Sequence, residues 1–240
     1  ICSGIREVLE RDAFSCHFLN KISPPKLDVA ANMDKLPKKL QKVLQQPDIE
    51  YYLGNITTEF NVPCVMSILK NGDKLGFATG TSCHMKAGLA LEKAVVESFH
   101  TFNWILDMNR WQEPITQAEH VRSFADHVTY YLDKDRHKDI EFLTHLSTAK
   151  PFEVKSDDFD GDGFASKSEL DYLVNLLKEN GYQIYVADLT TEDISSLGFH
   201  VVKVIIPGLQ PLYAGHGNQH LDPRRLTKFA KNMGYEVPES

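Results

Sequence analysis

Residues 60–106 carry the pattern that most restricts how this chain can fold. FNVPCVMSIL (60–69) is a continuous apolar run of strand length, and LGFATGTS (75–82) reads as a second strand. Between them NGDK (71–74) supplies Asn71-Gly72, a pair that suits the positive φ of a tight hairpin turn. The two runs are therefore predicted to pair antiparallel. They feed directly into a long helix predicted over 85–106, where Leu91, Val95, Phe99 and Phe102 form an apolar stripe.

The flanking segments extend the mixture of strands and helices. Residues 3–19 read as a helix, with Ser3 as N-cap and Glu7 and Glu10 in the early turns, where the helix dipole favours anions. Residues 20–55 are polar and broken by Pro24, Pro25, Pro37 and Pro47, leaving room for one short lysine-rich helix near 34–46. Residues 117–148 read as mostly helical and surface-lying. A helix at 167–180 ends on Asn180-Gly181. YQIYVADL (182–189) and HVVKVIIP (200–207) are strand-like, with a short helical piece at 191–197 between them, and a basic helix closes the chain at 222–235. No internal repeat or low-complexity segment occurs. The alternation predicts a mixed α/β or α+β domain.

Composition narrows the function classes. A net charge of −7 disfavours a general nucleic-acid binder. No apolar run reaches the length of a membrane-spanning helix, and no basic-then-apolar leader opens the chain. The four cysteines, Cys2, Cys16, Cys64 and Cys83, form no C-x-x-C pair, so reduced thiols in a cytoplasmic protein are expected. The chain opens inside an amphipathic helix, which suggests that a preceding part is missing.

Two helices carry candidate chemistry. On the first, Ser3, Glu7, Glu10 and Arg11 share a sector of roughly 100°, while Ile5, Val8, Leu9 and Cys16 fall on the far side. Two carboxylates three residues apart can share a divalent cation. Mg²⁺ takes few protein carboxylates and keeps waters or phosphate oxygens as its other ligands. Arg11 could reach a phosphate bidentately. The plainer reading is a surface helix with a Glu7–Arg11 pair at i,i+4. On the second helix, Lys93, Glu97, His100 and Trp104 cluster on one face. The glycine-containing strand before it could aim backbone N–H groups at an anion, although neither a Walker-type loop nor G-x-G-x-x-G is present. No H-E-x-x-H occurs, so zinc is not expected, and no G-x-S-x-G occurs.

DFDGDGFASKSE (158–169) fits a twelve-residue EF-hand loop position by position. Asp158, Asp160, Asp162, Phe164 (through its carbonyl), Ser166 and Glu169 are its candidate Ca²⁺ ligands. The segment ahead of it, KPFEVKSD, lacks the pattern of an entering helix. The alternative is an acidic loop that caps the 167–180 helix.

Taken in order, these segments resemble the YcaO-type family over nearly the whole chain. SGIREVLERDAF looks like its S-x-x-x-E-x-x-E-R stretch. FATGTSCHMKAGLALEKAVVESFH resembles its glycine-containing strand and A-L-x-x-A-x-x-E helix. SFADHVTYY and YVADLTTEDISSLGFHVVKVIIPGLQPLYAGHG…LDPRRL resemble the middle and C-terminal stretches of the branch acting on thiazole/oxazole-type peptides.

The resemblance implies an α+β fold with sheet layers and packed long helices. Residues 1–240 would be the C-terminal part of a YcaO-type domain, with 158–169 an acidic loop outside the family pattern. It implies an enzyme, an ATP- and Mg²⁺-dependent cyclodehydratase that activates peptide backbone amides by phosphorylation. Azoline rings would then form from Cys, Ser or Thr in a ribosomal precursor peptide. Carried over residue by residue, Glu7 and Glu10 would hold Mg²⁺, and Ser3, Arg11, Glu97 and His100 would face ATP. His100 stands where the family often has glutamine. The resemblance singles out no residue of this chain as the catalytic group. The expected partners are the precursor peptide, a peptide-binding protein or domain, and a second copy in a homodimer, with no nucleic acid and no membrane. The chain ends GYEVPES rather than in the proline-rich tail of many azoline-forming members. Two alternatives are a non-catalytic calcium-binding or scaffold module and a YcaO-type enzyme making thioamides.

Overall fold

The computed structural model describes residues 1–72, 77–111, 115–150, 152–160 and 166–236. The chain opens with helix α1 (Cys2–Leu19), followed by strand β1 (Pro25–Leu27), helix α2 (Lys38–Leu44) and strand β2 (Glu50–Asn55). Strands β3 (Cys64–Lys70) and β4 (Ala78–Cys83) form the expected hairpin, with Gly72 at φ +53° on its turn. Helix α3 (Ala87–Trp111) follows. Next come α4 (Phe124–Tyr130), β5 (Ser147–Lys150), α5 (Lys167–Glu179), β6 (Tyr185–Asp188), α6 (Glu192–Ser196), β7 (Val202–Ile205) and α7 (Pro223–Met233).

The main sheet runs β4-β3-β2-β1-β5, antiparallel except for the parallel pair β1–β5. β6 and β7 form a separate antiparallel ribbon. The long apolar run in β3 has a simple cause, because the strand is covered on both faces. Val65 packs with Leu53, Ala90, Leu91, Ala94 and Val95 on the α3 side. Met66 and Ile68 pack with Ile5, Leu9 and Ala13 of α1 and Leu173 and Leu177 of α5 on the other. A strand in the middle of such a sandwich has no polar face to show. Across the α3 side, Ser67 and Ser98 hydrogen-bond at 3.1 Å and Ser98 Oγ donates to the Val95 carbonyl at 2.7 Å, so both buried hydroxyls are satisfied.

Gly80 sets how closely α3 lies on the sheet. A Cβ there would fall 2.3 Å from the Ala94 carbonyl oxygen and 2.3 Å from the Ser98 backbone nitrogen. Only a residue without a side chain lets helix and strand backbones meet at that distance.

Several elements differ from the sequence reading. Residues 20–55, read as loops around one short helix, also contain β1 and β2. The predicted 34–46 helix is split into a 3₁₀ turn, Ala30–Lys35, and α2. Within 117–148, the helical reading holds only for α4 and short 3₁₀ pieces, and Ser147 already belongs to β5. These short strands carry little alternation of their own and form because a neighbouring strand accepts them. Among the described residues, no helix is long and apolar enough to cross a membrane. All four cysteines are buried and free.

Candidate functional site

Among the described residues β4 is an edge strand, so one row of its backbone N–H groups has no strand to bond. Two of these are taken by carboxylates from the flanking helices. Glu10 of α1 accepts the Cys83 N–H at 3.2 Å through Oε2 and the Thr81 hydroxyl at 2.7 Å through Oε1. Glu97 of α3 accepts the Thr81 N–H at 3.1 Å. A single edge residue, Thr81, thus tethers a carboxylate from each helix.

The two carboxylates lie in the wall of a cavity of about 580 Å³. Ser3, Glu7, Glu10 and Arg11 reach it from α1, Glu97 and His100 from α3, and Arg6 and Lys93 also line it. All six residues read from the sequence as facing ATP or Mg²⁺ are therefore brought together. The apolar back of α1 also holds as read, with Ile5, Leu9 and Cys16 buried. The plainer reading holds in part too, because Arg11 pairs with Glu7, both about half exposed. Ser3 Oγ accepts a long hydrogen bond from Arg6 Nη2 at 3.4 Å.

Burial pushes the Glu10 carboxyl up to about 7, and the negative charges of Glu97 and Glu7 add to that. The Thr81 hydroxyl and the Cys83 N–H act in the opposite sense. Burial also raises the Glu97 carboxyl, opposed by the Thr81 N–H and by His100 and Arg11. Carboxylates crowded and desolvated in this way favour a bound cation, which would return them to their charged form.

The donor set also fits an anion-bridged metal. Among the described residues, no three His, Cys, Asp or Glu side chains could cage a metal ion by themselves. Mg²⁺ needs no such cage. It is ordinarily held by one or two carboxylates with phosphate oxygens completing its shell, and Arg6, Arg11 and Lys93 stand on the same cavity for the remaining phosphate charge.

Sequence reasoning missed three parts of this arrangement. Thr81 looks like any strand residue until β4 is known to be an edge. Arg6 falls between the acidic stripe and the apolar back. Its guanidinium is buried, with Nη1 3.2 Å from Glu169 Oε1 on α5. The third is a buried ion cluster behind α1. Arg225 of α7 donates to Asp12 Oδ1 at 2.8 Å and Oδ2 at 2.5 Å, and to Glu59 Oε1 at 2.6 Å. Asp12 also accepts the Gln210 N–H at 2.7 Å.

The acidic loop gains no support as a Ca²⁺ site from its described residues. Asp158 Oδ2 accepts the backbone N–H groups of Gly88 at 2.8 Å and Lys155 at 3.2 Å. Ser166 caps α5 by accepting the Glu169 N–H at 3.2 Å, and the Glu169 carboxylate pairs with Arg6. The carbonyl of Asp160 accepts from Lys86 Nζ at 2.9 Å. Asp162 and Phe164 lie outside the described residues.

Comparison with known proteins gives consistent results. The sequence model of the YcaO cyclodehydratases, described as ATP- and Mg²⁺-binding, matches residues 1–210. None of the curated proteins compared matches the sequence. Among solved structures, a heterocyclase in complex with substrate and cofactor superposes with a TM-score of 0.70 at 21% identity, covering 100% of this chain and 30% of that one. YcaO from Methanopyrus kandleri bound with AMPPCP and Mg²⁺ gives 0.55 at 21% identity, covering 86% of this chain and 51% of that one. The E. coli microcin synthetase McbBCD complex with pro-MccB17 bound gives 0.51 at 15% identity, covering 83% and 48%. The chain thus spans about 30% of the length of the first of these structures. At such identities the superpositions speak for the fold.

Proposed function

The chain belongs to the YcaO cyclodehydratase family, and from that premise we propose that it forms the nucleotide- and metal-facing part of an enzyme that activates peptide backbone amides. The product is an azoline ring made from a Cys, Ser or Thr of a ribosomal precursor peptide. The observation that carries this reading is the convergence of Glu7, Glu10 and Arg11 from α1 with Glu97 and His100 from α3 on one cavity.

When bound, ATP with Mg²⁺ supplies the phosphoryl group that turns amide oxygen, a very poor leaving group, into phosphate. The residues of the chain position and neutralise. Glu7 and Glu10 would hold the metal, with Glu10 fixed in place by Thr81 and Cys83. Arg11, which pairs with Glu7 in this structure, would be the cation available to a phosphate. Ser3, His100 and Glu97 face the nucleotide. Chemistry of this kind rests on placement and on cations that balance phosphate charge. Support for a peptide substrate and partner proteins comes from the heterocyclase complex and from the microcin synthetase complex with its pro-peptide. In this reading the intact enzyme works on a precursor delivered by a peptide-binding protein or domain, as a homodimer in the cytoplasm.

Calorimetric titration of Mg·AMPPCP into the full-length protein tests the site. Glu10→Gln and Glu97→Gln are each expected to weaken binding by about tenfold or more, the effect of losing roughly 1.4 kcal/mol. Unchanged affinity in both variants would remove the nucleotide from this cavity.

A further inference from the structure

A second cavity, about 330 Å³, adjoins the acidic one and shares with it Phe14, Thr81, Glu97 and Leu212. Its other walls are largely hydrocarbon, built by Phe18 of α1, Trp104 and Ile105 of α3 and Val128 of α4. The phosphate and metal reading leaves it unused. We propose that this cavity is the subsite for a large apolar or aromatic side chain of the peptide, on a residue flanking the one whose amide is activated. The proposal rests on the amide-activating reading of the neighbouring cavity.

Continuity supplies the first argument. Because Thr81 and Glu97 stand in both walls, a group seated among the aromatic rings belongs to a molecule whose next atoms lie beside the carboxylates. A peptide with its reacting amide at the phosphate end satisfies that requirement. Size supplies the second. The volume is at the lower end of ligand pockets, roughly 300–1,000 Å³, enough for one ring-sized group and too little for a folded segment.

Chemistry supplies the third. Trp104 and Phe124 line the cavity while 40% and 50% exposed, so apolar rings face solvent where a bound side chain would cover them. A charged side chain would lose its hydration among walls that are mostly apolar; an acidic one would also meet Glu97, and a basic one would find that single carboxylate, already bonded to the Thr81 N–H. A purine base is a poorer fit than a hydrocarbon group, because its ring nitrogens and amino group would leave water for walls that are mostly apolar. His127 Nε2 is buried in this region without a hydrogen-bond partner among the described residues. Burial holds that ring below its usual pKa, opposed by the neighbouring Asp126 carboxylate. The ring offers one hydrogen bond at most, which suits a tyrosine or tryptophan side chain better than a base.

N-acetyl-Phe-Cys-amide, N-acetyl-Ala-Cys-amide and N-acetyl-Lys-Cys-amide are titrated calorimetrically into the full-length protein. The phenylalanine peptide is expected to give a saturable change, with the alanine and lysine peptides roughly ten- to hundredfold weaker. Val128→Phe, which fills the cavity, is expected to erase that preference while leaving Mg·AMPPCP affinity unchanged. Thr101→Leu serves as a second filling variant should the first fold poorly. Equal binding of the phenylalanine and alanine peptides, or no saturable change with any of them, would overturn the proposal. So would filling variants that weaken Mg·AMPPCP and spare the peptides, since the base would then occupy the cavity. If the unmodified protein keeps the peptide preference but binds no Mg·AMPPCP, the nucleotide reading fails and the apolar subsite stands.

Discussion

Glu10 concentrates the physical conflict at this site. Its carboxylate is held by Thr81 and Cys83, yet burial raises its pKa to about 7. The folded chain therefore binds a proton on Glu10 more tightly than the unfolded chain does. Stability from this group is present at low pH and is lost as pH rises from the ordinary carboxylate range through about 7. Denaturant unfolding at pH 5 and pH 8 should show the native protein losing stability relative to Glu10→Gln across that interval. Parallel pH profiles for the two would contradict the burial argument. The same linkage predicts that Mg²⁺ with AMPPCP binds more tightly at pH 8 than at pH 6, because the metal needs the charged form. Glu10→Gln should remove most of that dependence, as read by calorimetry at the two pH values.

At the level of elements, two contacts decide whether α1 and α3 present their carboxylates to each other. The first is the close approach of α3 to β4 at Gly80. Gly80→Ala would push a methyl into helix backbone, which has no rotamer to yield, so α3 must move and carry Glu97 away from Thr81. Overpacking of this kind costs about 1–3 kcal/mol, and the expected result is a lower melting temperature together with weaker Mg·AMPPCP binding. A variant that melts like the native chain would show that the helix is not held this tightly. The second contact is the Arg225 cluster, which ties α7 to the back of α1 through Asp12 and to Glu59. Arg225 is 2% exposed and Asp12 fully buried, so truncating one partner strands a charge inside the protein. Arg225→Ala is expected to cost about 3–5 kcal/mol, measured by denaturant unfolding. Replacing Arg225 and Asp12 together by Met and Leu should recover part of that loss, because Glu59, still partly exposed and reached by Asn232, is then the one charge of the cluster left without its arginine. A double variant as unstable as the single one would speak against this account.

For the molecule as a whole, a sheet between α3 on one side and α1 with α5 on the other brings the two helices to the free edge of β4. The expected homodimer is checked by light scattering on the purified full-length protein, where a mass equal to one chain would rule it out. Much of this arrangement is legible in the residues alone. Helical spacing puts Glu7, Glu10 and Arg11 on one side of α1 and Glu97 and His100 on one side of α3, and the apolar runs around Asn71-Gly72 locate the hairpin. These are local properties, set by a repeat of 3.6 or 2 residues along one stretch of chain. The short strands β1, β2 and β5 were hidden because their stability comes from pairing with distant neighbours rather than from their own pattern. The tertiary structure alone decided that β4 would be an edge, and so that Thr81 and Cys83 would turn their N–H groups to carboxylates. It alone brought Arg225 to Asp12, 213 residues away, and so fixed the rotation of α1. A sequence records which side chains share a face of one element. Which faces meet is settled by burial and by the need of every buried charge and backbone donor for a partner, and those partners lie far apart along the chain.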